Sequence, residues 1–160
     1  GMVPLLVAWK PGREDACEVY CRIGSPTPRV LHRLFAGASS AGHLPIAADC
    51  LAFLARVPAD GLWPRFRLGV SFAFTADGVT LTLFAHANQI FPSAATAHRR
   101  IAELGRQLAA PLPVYEAISR RIALERLAEV AHGMVGMKML GDGRIALAVG
   151  VSAGDLTRTR

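Results

Sequence analysis

Glu18, Tyr20 and Arg22 stand at every second position of one stretch of alternating apolar and polar residues, so on an extended strand all three project from the same face. Lys10, Ser71, Phe84, His86, Lys138 and Arg144 hold corresponding places in or beside other stretches of the same kind. The set has a recognisable chemistry. Lys10, Arg22, Lys138 and Arg144 are cations able to neutralise an anion such as a diphosphate, the arginines through a two-pronged donor fork. Tyr20 can donate a hydrogen bond, Phe84 can offer its ring face to a cation, and Ser71 is small enough to let a ligand approach the backbone. Glu18 is the one carboxylate of the set. Either Glu18 or His86 has the basicity to take a proton from an aromatic nucleophile. Plainer roles compete for both: Glu18 can pair with Lys10 or Arg22 across strands, worth a few tenths to about 1 kcal/mol, and His86 can be a strand-end residue facing water.

Other chemistries lack their residues. The stretch Gly37-Ala38-Ser39-Ser40-Ala41-Gly42 fails the spacing of a nucleophile elbow, and no Gly-rich phosphate loop ending in Gly-Lys occurs. The five histidines are isolated, without metal-ligand spacing, so no metal site and no cofactor are expected. His32, His43, His98 and His132 read as helix-surface or loop residues, with His132 placed to favour a helix C-terminus. Cys17, Cys21 and Cys50 form no CxxC; Cys17 and Cys21 on one strand stand about 13 Å apart, too far to share an ion. They read as buried thiols of a reducing cytoplasm.

These candidates are positioned by an internal repeat. Shifting the sequence by 63 positions lays Leu5-Leu6-Val7-Ala8-Trp9 over Leu68-Gly69-Val70-Ser71-Phe72 and residues 17–23 over 80–86. A third copy runs from Val135 through Gly141-Asp142-Gly143 to Val149, so the repeats start near residues 3, 66 and 133. Each copy alternates with period two around a turn signal, which predicts three β-hairpins. Asp77-Gly78 marks a two-residue turn and Gly143 a left-handed turn position; the first turn, around Pro11-Gly12-Arg13, is looser.

The spacers between hairpins switch to helical period, each long enough for two helices. Thr27 is expected as an N-cap with Pro28 at the first helical position, ahead of Val30, Leu31, Leu34 and Phe35. A second helix over about 46–56 buries Ile46, Cys50, Leu51 and Leu54. Ser93 caps a third, carrying Ala97, Ile101, Leu104 and Leu108. A fourth, beyond Pro111 and Pro113, carries Val114, Ile118, Ile122, Leu127 and Val130 and ends at Gly133. The order ββ-αα-ββ-αα-ββ predicts an α+β fold: a six-stranded antiparallel sheet with four helices on one face. Residues 1–160 are expected to form one domain with a polar tail over 153–160.

Alternation then sorts the strand residues. Leu5, Val7, Trp9, Val19, Cys21, Val70, Phe72, Phe74, Leu81, Leu83, Val135, Met137, Met139, Ile145, Leu147 and Val149 form the expected helix-covered face. The opposite face collects the candidates above with Ala8, Ala73, Thr80, Thr82, Gly136, Ala146 and Ala148. So many small residues on an open face favour close approach by something else. Solvent, another subunit and a ligand are the three alternatives.

Composition narrows the classes. With 160 residues, 52% of them apolar and 19% charged, the chain can bury a core and is not intrinsically disordered. The longest apolar run, Cys50 to Ala55, is far short of the ~20 residues of a membrane helix, and no secretory signal is read at Met2–Trp9. The net charge of +6 comes from sixteen Arg and two Lys against twelve acids, a skew typical of a GC-rich bacterial genome. Arg99-Arg100 and Arg120-Arg121 sit among Glu103, Glu116, Glu125 and Glu129 as on a solvated helix face. A basic stripe with stacking aromatics is missing, so nucleic acid is not the expected partner.

Val70-Ser71-Phe72-Ala73-Phe74 through Asp77-Gly78 to Leu81-Thr82-Leu83-Phe84, set among helix pairs, resembles the αα-ββ repeat of the aromatic prenyltransferase barrel, the fold of dimethylallyltryptophan-synthase-type enzymes. The resemblance implies inward basic and tyrosine side chains that bind an allylic diphosphate, and aromatic rings that shield the allyl cation. Glu18-Val19-Tyr20 stands where that family often has Lys-x-Tyr, so Tyr20 matches and the lysine does not. Six strands make about half of such a barrel, and closing one around a substrate takes about eight or more. The expected function is therefore that of a half-length, prenyltransferase-like protein binding a small aromatic or diphosphate ligand and transferring an allylic group. The alternative is a non-catalytic protein whose open face is a homodimer or partner interface.

Overall fold

A computed structural model of the chain describes residues 2–10, 13–24, 26–58, 67–124 and 132–151. Six strands form a single antiparallel sheet in sequence order: β1 (Met2–Lys10), β2 (Arg13–Ile23), β3 (Leu68–Thr75), β4 (Gly78–His86), β5 (His132–Met139) and β6 (Ile145–Val151). Between β2 and β3 lie α1 (Pro28–Gly37), a 3₁₀ turn at Ala41–His43 and α2 (Leu44–Ala55); between β4 and β5 lie α3 (Ala87–Ile90), α4 (Ala94–Gln107) and α5 (Pro113–Leu124). The α+β fold and its antiparallel sheet are those expected, with the short α3 added. No described helix is long and apolar enough to cross a membrane.

Local chemistry sets the boundaries. Thr27 Oγ1 accepts from the Val30 N–H at 3.3 Å with Pro28 opening α1, and Ser93 Oγ accepts from the Thr96 N–H at 3.2 Å ahead of α4, each satisfying a donor that the first turn leaves free. Gly78 and Gly143 hold φ of 127° and 85° in the hairpin turns, which is why glycine stands there.

Ile23 pairs with Leu68 and His86 with Met134, so both helical connections leave and re-enter at one end of the sheet, opposite the hairpin turns. The covered face is built from cross-strand rows. Cys21, Val70, Leu83, Met137 and Leu147 make one, and Ile23, Leu68, Ala85, Val135 and Val149 the next. Leu31, Phe35, Leu51, Leu54 and Ile101 pack onto them from the helices, all buried. Each such side chain contributes about 1.5–3 kcal/mol of burial.

The first strand departs from expectation. Trp9, Leu5 and Val7 are 69%, 59% and 52% exposed. Phe74 is also exposed. The core reaches from β2 to Ile145 and Leu147 of β6 at the far edge, and β1 overhangs it. Leu5 sits at a register shift between Pro4 and Leu6, so β1 does not keep one alternation along its length. Ile46, expected in the core of α2, is exposed as well.

Candidate functional site

The open face carries a concavity of about 340 Å³, and the strand register explains its furnishing. Tyr20, Ser71, Thr82 and Lys138 are successive cross-strand partners from β2 to β5, a polar row about 14 Å long at the usual inter-strand spacing. Beside it runs the row Arg22, Gly69, Phe84, Gly136 and Ala148, mostly small except for the Phe84 ring. Glu18 and Ala73 border the hollow on one side, Met134 and Gly150 on the other. The hollow exists because its floor has little side chain. A Cβ on Gly136 would meet Thr82 Cγ2 at 3.3 Å and Ala148 Cβ at 3.5 Å, and one on Gly69 would run into the Phe84 ring, which lies directly over that residue.

Glu18 is fixed by its neighbours. The Ser71 hydroxyl, on a residue 2% exposed, donates to Glu18 Oε1 at 2.7 Å. Burial first, and then the Glu18 carboxylate beside it, push the Tyr20 phenol above its ordinary range. Tyr20 and Phe84 face each other with ring centroids 6.3 Å apart and planes tilted by 54°, a distance at which aromatic pairs attract. The hollow thus has an aromatic wall and an anchored carboxylate at the β2 side, and an ammonium, Lys138, on β5. This set can grip a flat apolar body, hold an anionic group at Lys138 and accept a proton at Glu18.

Five of the nine candidates, Glu18, Tyr20, Ser71, Phe84 and Lys138, line the hollow. The others do not join them. Arg144 lies in the β5–β6 turn, where its guanidinium contacts Asp142 Oδ2 through Nε at 2.6 Å and Nη2 at 2.5 Å, so its place on the open face is corrected: the turn ends before β6 begins. Arg22 is exposed and outside the lining. His86 ends β4 in front of α3 and is exposed, outside the lining although its cross-strand partner Met134 borders the hollow. The side chain of Lys10 lies outside the described residues. The expected pairing of Glu18 with Arg22 is replaced, among the described residues, by its bond to Ser71. The sequence reading did not assign Met134 and Gly150 to the site and put Val149, which also borders the hollow, on the helix-covered face; none of the three carries a reactive group.

A second polar cluster lies under the helices. His98 Nδ1 and Ser119 Oγ are 2.5 Å apart, and Tyr115 Oη shares a 2.9 Å hydrogen bond with His132 Nε2. Ser119 is fully buried, and the Nδ1 of His132 is buried with no partner among the described residues. Burial lowers the pKa of both histidines; nearby Arg120 adds to this for His98, and His98 for His132. His98, expected on a helix surface, and His132, expected with Gly133 at a helix C-terminus but found opening β5, instead fasten α4, α5 and β5 together. Of the cysteines, Cys21 and Cys50 are buried as expected and Cys17 is half-buried; burial pushes the Cys50 thiol up to about 11, which keeps it protonated and unreactive.

No protein-family model matches the chain, and no curated protein is significantly similar to it.

Proposed function

We propose that the hollow of the open sheet face binds a small aromatic molecule, with Tyr20 and Phe84 as its wall, Lys138 as the contact for an anionic group and Glu18 as the base. The observation that carries this reading is the convergence of a buried-serine-anchored carboxylate, two rings and one ammonium on a volume of about 340 Å³. That volume falls within the ~300–1,000 Å³ of small-molecule sites. The reading extends to prenyltransferase-like chemistry. An allylic diphosphate would lose its carbon–oxygen bond with the electron pair leaving on the diphosphate against Lys138. A ring carbon of the acceptor would bond the allyl carbon while the Tyr20 and Phe84 faces shield the cation, and Glu18 would take the ring proton.

Thermal unfolding tests binding and a product assay tests reaction. A ligand present at a hundredfold excess over Kd stabilises by about 2.7 kcal/mol, so allylic diphosphate or an indole-type acceptor at millimolar concentration is expected to raise Tm. Phe84→Ala is expected to remove the acceptor's shift, and Lys138→Ala that of the diphosphate. Glu18→Gln is expected to keep both shifts and stop formation of the alkylated acceptor. Absence of any shift with either class overturns the reading. The second reading, a covered interface on this face, is favoured by the exposed small residues Ala148 and Gly150; it predicts no ligand shift and a dimer that Ala148→Glu dissociates.

A further inference from the structure

We infer that β1 is a self-association edge, which a second copy of this chain covers by pairing its own β1 antiparallel to it. Three observations select that occupant. Among the described residues β1 is hydrogen-bonded on one side only, to β2, so its other side presents backbone donors and acceptors that another strand satisfies along their length. Both faces of β1 are apolar and bare: Met2, Val3, Leu5, Leu6, Val7 and Trp9 are all exposed. The strand that best continues it carries large apolar side chains on both faces, which β1 does, whereas the other edge, β6, has only the small Ala146, Ala148 and Gly150 on one face.

Charge points the same way. The chain carries +6, so most approaches of two copies bring like charges together. Met2 to Trp9 contains no charged residue, and a two-fold pairing there opposes none. The six exposed side chains supply apolar surface toward the roughly 800 Å² per partner of a standard interface. Phe74 and Val79, both exposed and in the cross-strand row of Trp9, extend the patch on the helix-side face. Pro4 has no N–H to give and the register shifts beside it, so the shared ladder is confined to Leu5–Trp9 and is centred near Val7. The two copies then form one twelve-stranded sheet, with each hollow facing outward from its own subunit.

Sedimentation equilibrium of the whole chain from micromolar to millimolar concentration tests this. The wild type is expected to be a concentration-dependent dimer. Leu6→Glu and Leu6→Lys, at an exposed position where neither charge disturbs the core, are each expected to raise the dimer dissociation constant at least tenfold. An equimolar mixture of the two is expected to recover dimer, because two-fold pairing near Val7 brings the opposite charges close. Val114→Lys, at an exposed apolar site on α5, is expected to change nothing. A wild type that stays monomeric throughout overturns the inference, as does a dimer insensitive to Leu6 substitution or a mixture that stays monomeric. None of these outcomes depends on the ligand shifts of the open face.

Discussion

At the scale of single residues, the site depends on what is missing from the sheet surface as much as on what is present. Phe84 reaches over Gly69 because only hydrogen stands at that position, and the ring thereby comes within 6.3 Å of Tyr20. Gly69→Ala is expected to push the ring off its seat, at the ~1–3 kcal/mol typical of overpacking. In a Phe84→Ala background the same change should cost little, since alanine suits a strand better than glycine when nothing lies above it. Urea denaturation of the four proteins of this cycle should give a coupling of about 1 kcal/mol or more; strict additivity would mean the ring does not depend on the glycine. Much of this was legible in the sequence: alternation alone placed Glu18, Tyr20, Ser71, Phe84 and Lys138 on one face. What alternation does not encode is how far along the face each side chain lies. Arg144, assigned to the face by the same count, belongs to a turn in which Asp142 at two residues' distance captures its guanidinium, and a local pair of that kind overrides a face assignment.

At the scale of elements, α5 is held through polar contacts: Val114 and Ile118, expected to pack inward, are exposed, and Tyr115 and Ser119 meet His132 and His98. Both histidines have pKa values lowered by burial, so the folded protein holds them neutral while the unfolded chain takes up protons near 6.5. The unfolded state then binds more protons as pH falls below 6.5, and stability is lost in that direction until the lowered folded values are reached; above it the contribution is complete. Near His98, Arg120 and Arg106 oppose protonation and Glu116 favours it, the net remaining a lowering. Chemical unfolding at about pH 7.5 and about pH 5.5 should show a larger drop in the wild type than in His98→Gln/His132→Gln, whose side chains do not titrate there. An equal drop in both would assign the acid sensitivity elsewhere. The sequence gives no sign of this cluster, because the partners are 21 and 17 residues apart on elements whose relative rotation only packing decides. The helix ends were legible, by contrast, because capping is local: Thr27 and Ser93 act within three residues.

At the scale of the whole molecule, the helix layer is narrower than the sheet. The core face is buried from β2 across to β6, where Ile145 and Leu147 belong to the core, whereas β1 receives no cover among the described residues. The sequence of Met2–Trp9 conceals this, since a strand apolar at nearly every position is also what a fully buried central strand looks like. Stability should therefore be concentrated in β3, β4 and β5. Leu83→Ala, in the fully buried row with Val70 and Met137, is expected to cost about 2–5 kcal/mol. Trp9→Ala removes the larger side chain, yet in dilute, monomeric protein it should cost less than about 1 kcal/mol, because Trp9 leaves little solvent behind on folding. Urea midpoints measured at sub-micromolar protein would separate these outcomes. A Trp9 penalty as large as that of Leu83 would mean that something within the subunit covers β1, and would place the limit of the core one strand further out.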